Sequence, residues 1–382
     1  MRSASVVAEG LFTYQIGGSE RVGADLALEF QRRGYRVVCF AFHDSDGPMR
    51  TQLEASGIRC LDMNYSRYRG FFRRLSYLWR FWQMLRREQI SALHVHHTAA
   101  LILCAIPARL ARVRLVMTEH ALQWADWGAA YQRPALRYCR YASAITVVEP
   151  AQADYFRTEL AVPADRVHYV ANGVRVAART AECVSDARRR LGISPDVFAF
   201  FYVGRLNPIK DLGTLLEAFA ALPSEVLSRS RLYLVGDGSE RAMLESKRDA
   251  LHLTERVTFL GFRTDVSQLL KAADAVVMSS RSEGLPMVLL EAMAAGVPCV
   301  ATAVGGIPQL FGEDRGLTVP PQDAAKLATA MASVAGSPEL RQRLVRNALE
   351  NLQKHYALDA ITDRYLELLG LPLRTAASAA PA

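Results

Sequence analysis

Two acidic residues eight positions apart, Glu283 and Glu291, occur in a run that is otherwise small or apolar: Ser279-Ser280-Arg281-Ser282-Glu283-Gly284-Leu285-Pro286-Met287-Val288-Leu289-Leu290-Glu291, continuing to Gly296-Val297-Pro298. The pattern predicts a strand end, a Ser/Gly loop, a helix with Pro286 at its first position, and Gly296 as its stop. Glu283 falls in the loop. Glu291 falls about a turn and a half into the helix among apolar neighbours, where a carboxylate costs free energy unless it is hydrogen-bonded. A vicinal diol, such as the 2′ and 3′ hydroxyls of a ribose, would give both its oxygens a partner. The loop amides of Gly284 to Val288, pointing out of the helix N-terminus, suit a phosphate.

A second loop has matching chemistry. Val203-Gly204-Arg205-Leu206-Asn207-Pro208-Ile209-Lys210-Asp211 follows a predicted strand, and a turn at Pro208 lets Arg205 and Lys210 converge on one point. A guanidinium fork and a mobile ammonium suit a diphosphate. Two solvated cations on a surface loop are the alternative.

These loops need strands behind them. In the first half, apolar runs predict strands at Ser5–Ala8, Tyr35–Ala41, Ile58–Asp62, Ala92–His96, Leu115–Thr118, Ala144–Val148 and Val167–Val170, with helices between, among them Gly18–Arg33. The rhythm restarts with strands at Val197–Val203, Arg231–Val235, Val257–Leu260, Ala275–Met278 and Val297–Ala301. Alternation of this kind predicts an α/β chain of two Rossmann-like domains, with parallel sheets facing a central cleft that binds ligands at the strands' carboxyl ends. The expected domains are 1–175 and 176–354, joined by a linker around Arg175–Ser194. A last helix over 355–369 would pack back on the first domain, ahead of a disordered tail, 370–382.

The chain has 382 residues, 51% hydrophobic and 22% charged, enough for more than one core and unlike a disordered chain. Its net charge of +8 is uneven: residues 1–175 hold 23 arginines against 15 acids, and 176–382 hold 23 basic against 23 acidic residues. The first lysine is Lys210. A basic excess in one domain points to an anionic partner there. No stretch reaches the ~18–20 apolar residues of a membrane span. Met1 to Leu11 includes Glu9 and lacks a leader's apolar centre, so a cytoplasmic chain is expected. Cys39, Cys60, Cys104, Cys139, Cys183 and Cys299 occur singly and read as reduced fillers.

Together with Gly17-Gly18-Ser19-Glu20-Arg21, Asn172-Gly173-Val174, Leu234-Val235-Gly236-Asp237-Gly238, Gly261-Phe262 and Gly305-Gly306-Ile307-Pro308, the two loops resemble the retaining glycosyltransferases of GT-B fold, family four of the sequence classification. The second half matches in order and the first more loosely; Gln309 and Ser239 depart from the common pattern. The resemblance implies that Glu291 binds the ribose of a nucleotide sugar and that Glu283 lies near the donor sugar. It implies that Arg205 and Lys210 hold the diphosphate and meet the charge of the leaving group, that Gly17 and Gly18 approach that diphosphate, and that Gly284, Leu285, Pro286, Met287, Val288 and Leu289 complete the cradle. Phe262 and Arg263 would contact the base, and His120 the donor sugar. Because the cations and helix amides can meet the leaving-group charge, no metal and no cofactor is expected; the nucleotide sugar is a substrate. Retention by attack from the leaving-group side, with the departing phosphate helping to take the acceptor proton, is the expected course.

From Arg67 to Arg87 there are seven arginines, seven aromatics and no acid. Drawn as a helix, Phe71, Leu75, Leu78, Trp82 and Leu85 form one stripe, with Arg69, Arg73, Arg80 and Arg87 opposite. The segment suits an anionic membrane surface; a stripe packed on the first sheet is the alternative. His94, His96 and His97 lack an acid or cysteine at ligand spacing in sequence, so no metal is expected there, and His96 or His97 would line the acceptor side. The expected activity is transfer of a hexose from a nucleotide sugar, UDP-linked, to a lipid-linked saccharide or growing surface polysaccharide at the inner face of the cytoplasmic membrane. A transferase acting on a soluble sugar or sugar phosphate and a non-catalytic nucleotide-sugar-binding subunit are the alternatives. No G-x-G-x-x-G follows the first strand to suggest a dehydrogenase, and no role for nucleic acid is expected.

Overall fold

The computed structural model describes residues 5–43, 46–67, 70–120, 137–176 and 179–374, and the chain divides into two compact units, Met1–Gly173 with Leu358–Ala382, and Val174–Ala357. In the first unit the order is β1 (Val6–Leu11), α1 (Gly18–Arg32), β2 (Arg36–Ala41), α2 (Pro48–Ala55), β3 (Arg59–Asp62), α3 (Phe71–Arg87), β4 (Ile90–His96), α4 (His97–Ala111), β5 (Arg114–Glu119), β6 (Ala144–Val147), α5 (Pro150–Thr158) and β7 (Val167–Tyr169). Its seven strands run parallel in the order β3-β2-β1-β4-β5-β6-β7. Sheets covered on both faces require apolar runs with no polar face, and β1 is buried at every position. The strand order reverses between β1 and β4, the kind of position where open parallel sheets bind ligands. In register, Glu9 of β1 pairs with His94 of β4, and His96 with Thr118 of β5.

β1 runs three residues past the predicted Ala8, so Glu9, expected in a loop, is a buried residue inside the sheet. Its acidic side chain hid the strand's continuation, because an apolar-run criterion stops at a charge.

The second unit holds α6 (Ala181–Arg190), β8 (Phe198–Val203), α7 (Leu212–Ala220), α8 (Ser224–Arg229), β9 (Ser230–Val235), α9 (Arg241–Ala250), β10 (Val257–Gly261), α10 (Val266–Ala272), β11 (Ala275–Met278), α11 (Met287–Ala294), β12 (Cys299–Thr302), α12 (Ile307–Phe311), β13 (Leu317–Val319), α13 (Ala324–Gly336) and α14 (Pro338–His355). Its parallel order is β10-β9-β8-β11-β12-β13, reversing between β8 and β11. The expected linker is in fact part of this unit. Thr180 caps α6 by accepting from the Cys183 N–H at 3.2 Å. Arg188, buried, donates to Asp274 Oδ2 at 2.8 Å and to the carbonyl of Ser194. Arg179 donates to the carbonyls of Lys271 and Ala273, at the end of α10. Arginines of the expected linker are here tied to carbonyl and carboxylate oxygens.

The last helix, α15 (Leu358–Leu368), belongs to the first unit. Its expected apolar face, Leu358, Ile361, Tyr365 and Leu368, is buried. Arg33 pairs with Asp363 and Glu29, and Arg114 Nε donates to the Leu368 carbonyl at 2.7 Å. Part of the segment expected as a tail is packed: Tyr35 donates to the Pro372 carbonyl, and Arg374 lies 4.4 Å from the Tyr35 ring centre. Residues 375–382 lie outside the described residues.

Helix α3 buries a different face from the one its periodicity suggested. Tyr77, Phe81 and Leu85 are in the core, whereas Leu75 is half exposed; of Phe71 only the backbone is described. Phe81 meets Phe40 edge-on with centroids 5.3 Å apart and stacks with Phe42 at 6.2 Å, contacts worth ~1 kcal/mol each beyond burial. With aromatics all round the helix, periodicity could not choose the stripe; Phe40 on β2 and Phe42 just after it do. Phe72, Leu75 and Trp79 stay exposed at 82%, 49% and 57%. At 3.6 residues per turn they fall within an arc of roughly 60° on the opposite side from Phe81. No described helix is long and apolar enough to cross a membrane.

Candidate functional site

In the second unit, chemistry gathers where β8 and β11 end. The loop after β8 is stapled to its neighbour, with Gly204 N–H donating to Val235 O and Leu206 N–H to Asp237 O, both at 2.9 Å. Pro208–Lys210 form one 3-10 turn, and Asp211 closes it in the left-handed region at φ +48°. Ser279 Oγ donates to the carbonyls of Lys210 and Asp211, and Arg281 N–H to that of Ile209. These bonds hold the two loops side by side.

Held there, Lys210 Nζ reaches Glu283 Oε1 at 2.5 Å, and Ser280 Oγ donates to the same oxygen at 2.5 Å. Glu283 is itself fixed from behind. Gly305 (φ +55°) lies so close that a Cβ there would come 2.0 Å from the Glu283 carbonyl, and Gly306 N–H donates to Gly284 O at 2.9 Å. That contact accounts physically for glycine at 305. Arg205 is exposed on the same loop as Lys210, and among the described residues no carboxylate pairs with its guanidinium. Asn207, which the sequence reasoning passed over, buries an Oδ1 without a hydrogen-bond partner in this loop. An orphaned acceptor beside an unpaired cation is a place for a ligand's hydroxyl or N–H.

Pro286 precedes α11 as its cap residue, where it had been expected at the first helical position; the helix opens at Met287. Its first amides, including those of Met287 and Val288, have no intrahelical acceptor. Leu285, Met287 and Leu289 bury their side chains, so they offer a ligand only their backbone, while Glu291 is half-buried. After β10, Phe262 is 54% exposed and Arg263 grips Asp265 through two bonds of 2.8 and 2.7 Å.

In the first unit, Gly17 caps α1 and Gly18 begins it. Space beside Gly18 is open, whereas the Glu20 carboxylate folds against Gly17, where a Cβ would come 2.2 Å from Oε2. The Glu20 carboxylate thus takes the position at the helix N-terminus that favours negative charge.

At the carboxyl ends of β1, β4 and β5 lies a cluster the sequence reasoning did not assemble. Glu9 Oε1 is 2.6 Å from His96 Nε2, and His96 Nδ1 is 2.8 Å from His120 Nε2. His94 Nδ1 lies 2.9 Å from the same Glu9 oxygen but off-axis, so it and Glu9 Oε2 lack hydrogen-bond partners. His94 Nε2 meets Thr118 Oγ1 at 2.6 Å, and Thr118 meets Tyr365 at 3.0 Å. Burial pushes His94 down to about 3, and burial with the neighbouring His94 pushes His96 down to about 4. His120 is held well below the usual range by burial and the three other rings. Burial raises Glu9 to about 7 against the opposing hydrogen bond from His96.

Next to it, His97 sits at φ +70° and meets Glu119 Oε1 at 3.1 Å. Burial opposes charge on both, but their mutual contact wins: His97 is raised and Glu119 lowered. Two carboxylates on strands that flank β4 therefore differ, Glu119 charged and paired, Glu9 near its titration point at neutral pH.

The expectation that the histidines lack an acid is overturned. The acid comes from β1, 85 positions before His94, a separation that ligand spacing in sequence does not register. The ligating atoms of Glu9, His94 and His96 lie within 4.8 Å of one another. Atoms bound to one tetrahedral zinc at about 2.0–2.1 Å would stand about 3.3 Å apart, whereas Glu9 Oε1 and His96 Nε2, at 2.6 Å, are hydrogen-bonded to each other directly. The chain also contains one D-x-D triplet, Asp44-Ser45-Asp46; its first two residues are outside the described residues, and Asp46 is an exposed residue 3.7 Å from Arg50. All six cysteines are free, and only Cys183 is not buried.

Comparison with known proteins follows this division. Residues 16–178 match the family described as Glycosyltransferase Family 4, and residues 184–351 that described as Glycosyl transferases group 1. The chain is 26% identical over 362 residues to N-acetyl-alpha-D-glucosaminyl L-malate synthase of Bacillus anthracis, covering 92% of this chain and 93% of that protein. It is 38% identical over 192 residues to the lipopolysaccharide core biosynthesis glycosyltransferase LpsE of Rhizobium meliloti, 50% of this chain and 55% of that one. The crystal structure of Anabaena HepE with UDP-glucose superposes with a TM-score of 0.82 at 24% identity, covering 96% of this chain and 99% of that one.

Proposed function

The chain belongs to the family-4 glycosyltransferases of GT-B fold, and on that premise we propose that it transfers a hexose, with retention, from a UDP-sugar to a lipid-linked saccharide or growing surface polysaccharide. The observation that carries the donor half is the set formed by exposed Arg205, the Lys210–Glu283 pair and the open amides of α11. Arg205 and those amides receive the diphosphate. Lys210 exchanges Glu283 for the leaving phosphate as charge builds, and Glu283 is released toward the sugar. Glu291 takes the ribose hydroxyls and Asn207 a further ligand hydroxyl. Phe262 and Arg263 flank the base, Gly18 offers its amide to the diphosphate, and His120 touches the sugar. Charge stabilisation of this kind needs no metal. The departing phosphate helps take the acceptor proton, and trapping a covalent sugar on Glu283 would overturn that course.

HepE, solved with UDP and with UDP-glucose, supports the uridine donor. LpsE supports a surface-saccharide acceptor. The exposed Phe72-Leu75-Trp79 stripe with Arg73, Arg74 and Arg80 supports docking at the inner face of the cytoplasmic membrane. The near full-length likeness to the malate synthase favours a second reading, a soluble acceptor. A thermal-shift screen of nucleotide sugars, followed by mass spectrometry of products from lipid-linked and soluble acceptors, separates the two. No stabilisation by any nucleotide sugar would overturn both.

A further inference from the structure

The buried histidine chain of the first unit ends on His120. Each contact in the path Glu9 Oε1, His96 Nε2, His96 Nδ1, His120 Nε2 is of hydrogen-bond length. A neutral imidazole carries one N–H, so the role of one ring nitrogen dictates that of the other. We propose that Glu9 and His96 form a positioning relay that decides which ring nitrogen of His120 carries its proton, and hence whether His120 meets a sugar hydroxyl as acceptor or as donor.

The proton balance is closed. With Glu9 ionised, His96 donates Nε2–H to it, so His96 Nδ1 is bare and accepts Nε2–H from His120, whose own Nδ1 is then an acceptor. When the cluster gains one proton, Glu9 becomes a carboxylic acid and donates to His96 Nε2. His96 then carries its proton on Nδ1 and donates to His120 Nε2, and His120 carries Nδ1–H. Each ring stays neutral in both states, and the added proton resides on Glu9.

Burial favours this exchange. Charging any of the rings is opposed, and Glu9 is the one group in the path raised toward neutrality. The groups facing Glu9 are His94 and His96 of β4, Cys39 of β2 in register beside it, and Tyr365 of α15 through its electrostatic influence. His97 and Glu119 bear on His120 from α4 and β5. The ring of His96 is also held by Gly23 of α1, where a Cβ would come 2.7 Å from Nε2.

This inference rests on the proposed contact of His120 with the sugar, but its test does not need a sugar. Ring-nitrogen NMR of the full-length protein, with His120 assigned by its loss in His120→Gln, is followed from about pH 6 to about pH 8.5. The expected result is a change of His120 from Nδ1–H to Nε2–H as pH rises, abolished in Glu9→Gln and in His96→Gln. A single tautomer across the range in the wild-type chain, or a change that persists in either variant, overturns the relay; the wild-type series decides if neither variant folds. A stoichiometric metal on His94 and His96 in the purified protein also overturns it. With UDP-glucose as probe, kcat of Glu9→Gln should lose its titration near neutral pH while UDP affinity stays unchanged. Failure of UDP to bind the wild-type chain counts against the functional reading and leaves the tautomer result standing.

Discussion

Lys210 Nζ lies 2.5 Å from Glu283 Oε1, although 73 positions separate the two residues. Both side chains are largely buried, at 17% and 10% exposure, so each neutralises the other in a place where a lone charge is costly. In the proposed donor complex a diphosphate would compete with Glu283 for Lys210, and would do so more strongly as charge builds on the leaving group.

Lys210→Ala should accordingly lower kcat by roughly 10²–10³-fold, with UDP affinity changed far less. Steady-state rates set beside calorimetric UDP binding check this. A loss of UDP affinity with kcat unchanged would show that Lys210 serves binding alone.

Glu291→Ala should act the other way round. Losing a charged hydrogen bond of about 1.5–3 kcal/mol weakens UDP binding by roughly 10–100-fold, and a deoxyribose analogue should lose little further affinity in the variant. Calorimetry with both nucleotides reads the outcome; undiminished UDP affinity contradicts the ribose assignment.

Helix α3 should bind anionic vesicles. At about 1 kcal/mol per basic residue near the surface, neutralising Arg73, Arg74 and Arg80 together should reduce flotation with phosphatidylglycerol liposomes by well over tenfold. Added salt should weaken the wild-type protein as well, and Phe72→Ser with Trp79→Ser should release it at any salt. Vesicle binding indifferent to all three changes would remove the membrane from the proposal.

Stability should depend on pH through the buried cluster. His94 and His96 stay neutral in the fold down to about 3 and about 4 respectively, while unfolded histidine titrates at about 6.5. The unfolded chain thus binds more protons as pH falls below about 6.5, and stability falls with it. Glu9 works in the opposite sense: raised to about 7, it contributes stability that is full below about 4.5 and lost as pH rises through about 7. Glu9→Gln should therefore steepen the acid loss between about pH 4.5 and about 6.5 by about one proton. Urea denaturation at several pH values measures the slope, and an unchanged slope contradicts the raised carboxyl.

The strands and most helices could be read from the sequence because parallel strands buried on both faces leave plain apolar runs, as at Phe198–Val203. The loop with Glu283 was legible for a local reason, since Ser, Gly and Pro there mark a turn into a helix. What escaped was decided by partners distant in the chain. Glu9 read as a loop residue until β4 supplied His94 and His96 beside it. Arg179 and Arg188 read as linker until the carbonyls around α10 claimed them. The alternative that packed the Leu75 stripe on the sheet failed because Phe40 and Phe42 took Phe81 instead. Local periodicity carries no record of such choices.

The return of α15 to the first unit bears on how the chain is made. Thr118 and Thr146 of β5 and β6 meet the hydroxyl of Tyr365, and buried Arg33 meets Asp363. A ribosome therefore synthesises the amino-terminal sheet first but completes its packing last, after the whole of the second unit has emerged. A nascent or truncated chain ending before Leu358 would leave those threonines and Arg33 without these partners, so quality control has a long interval in which to recognise an unfinished sheet.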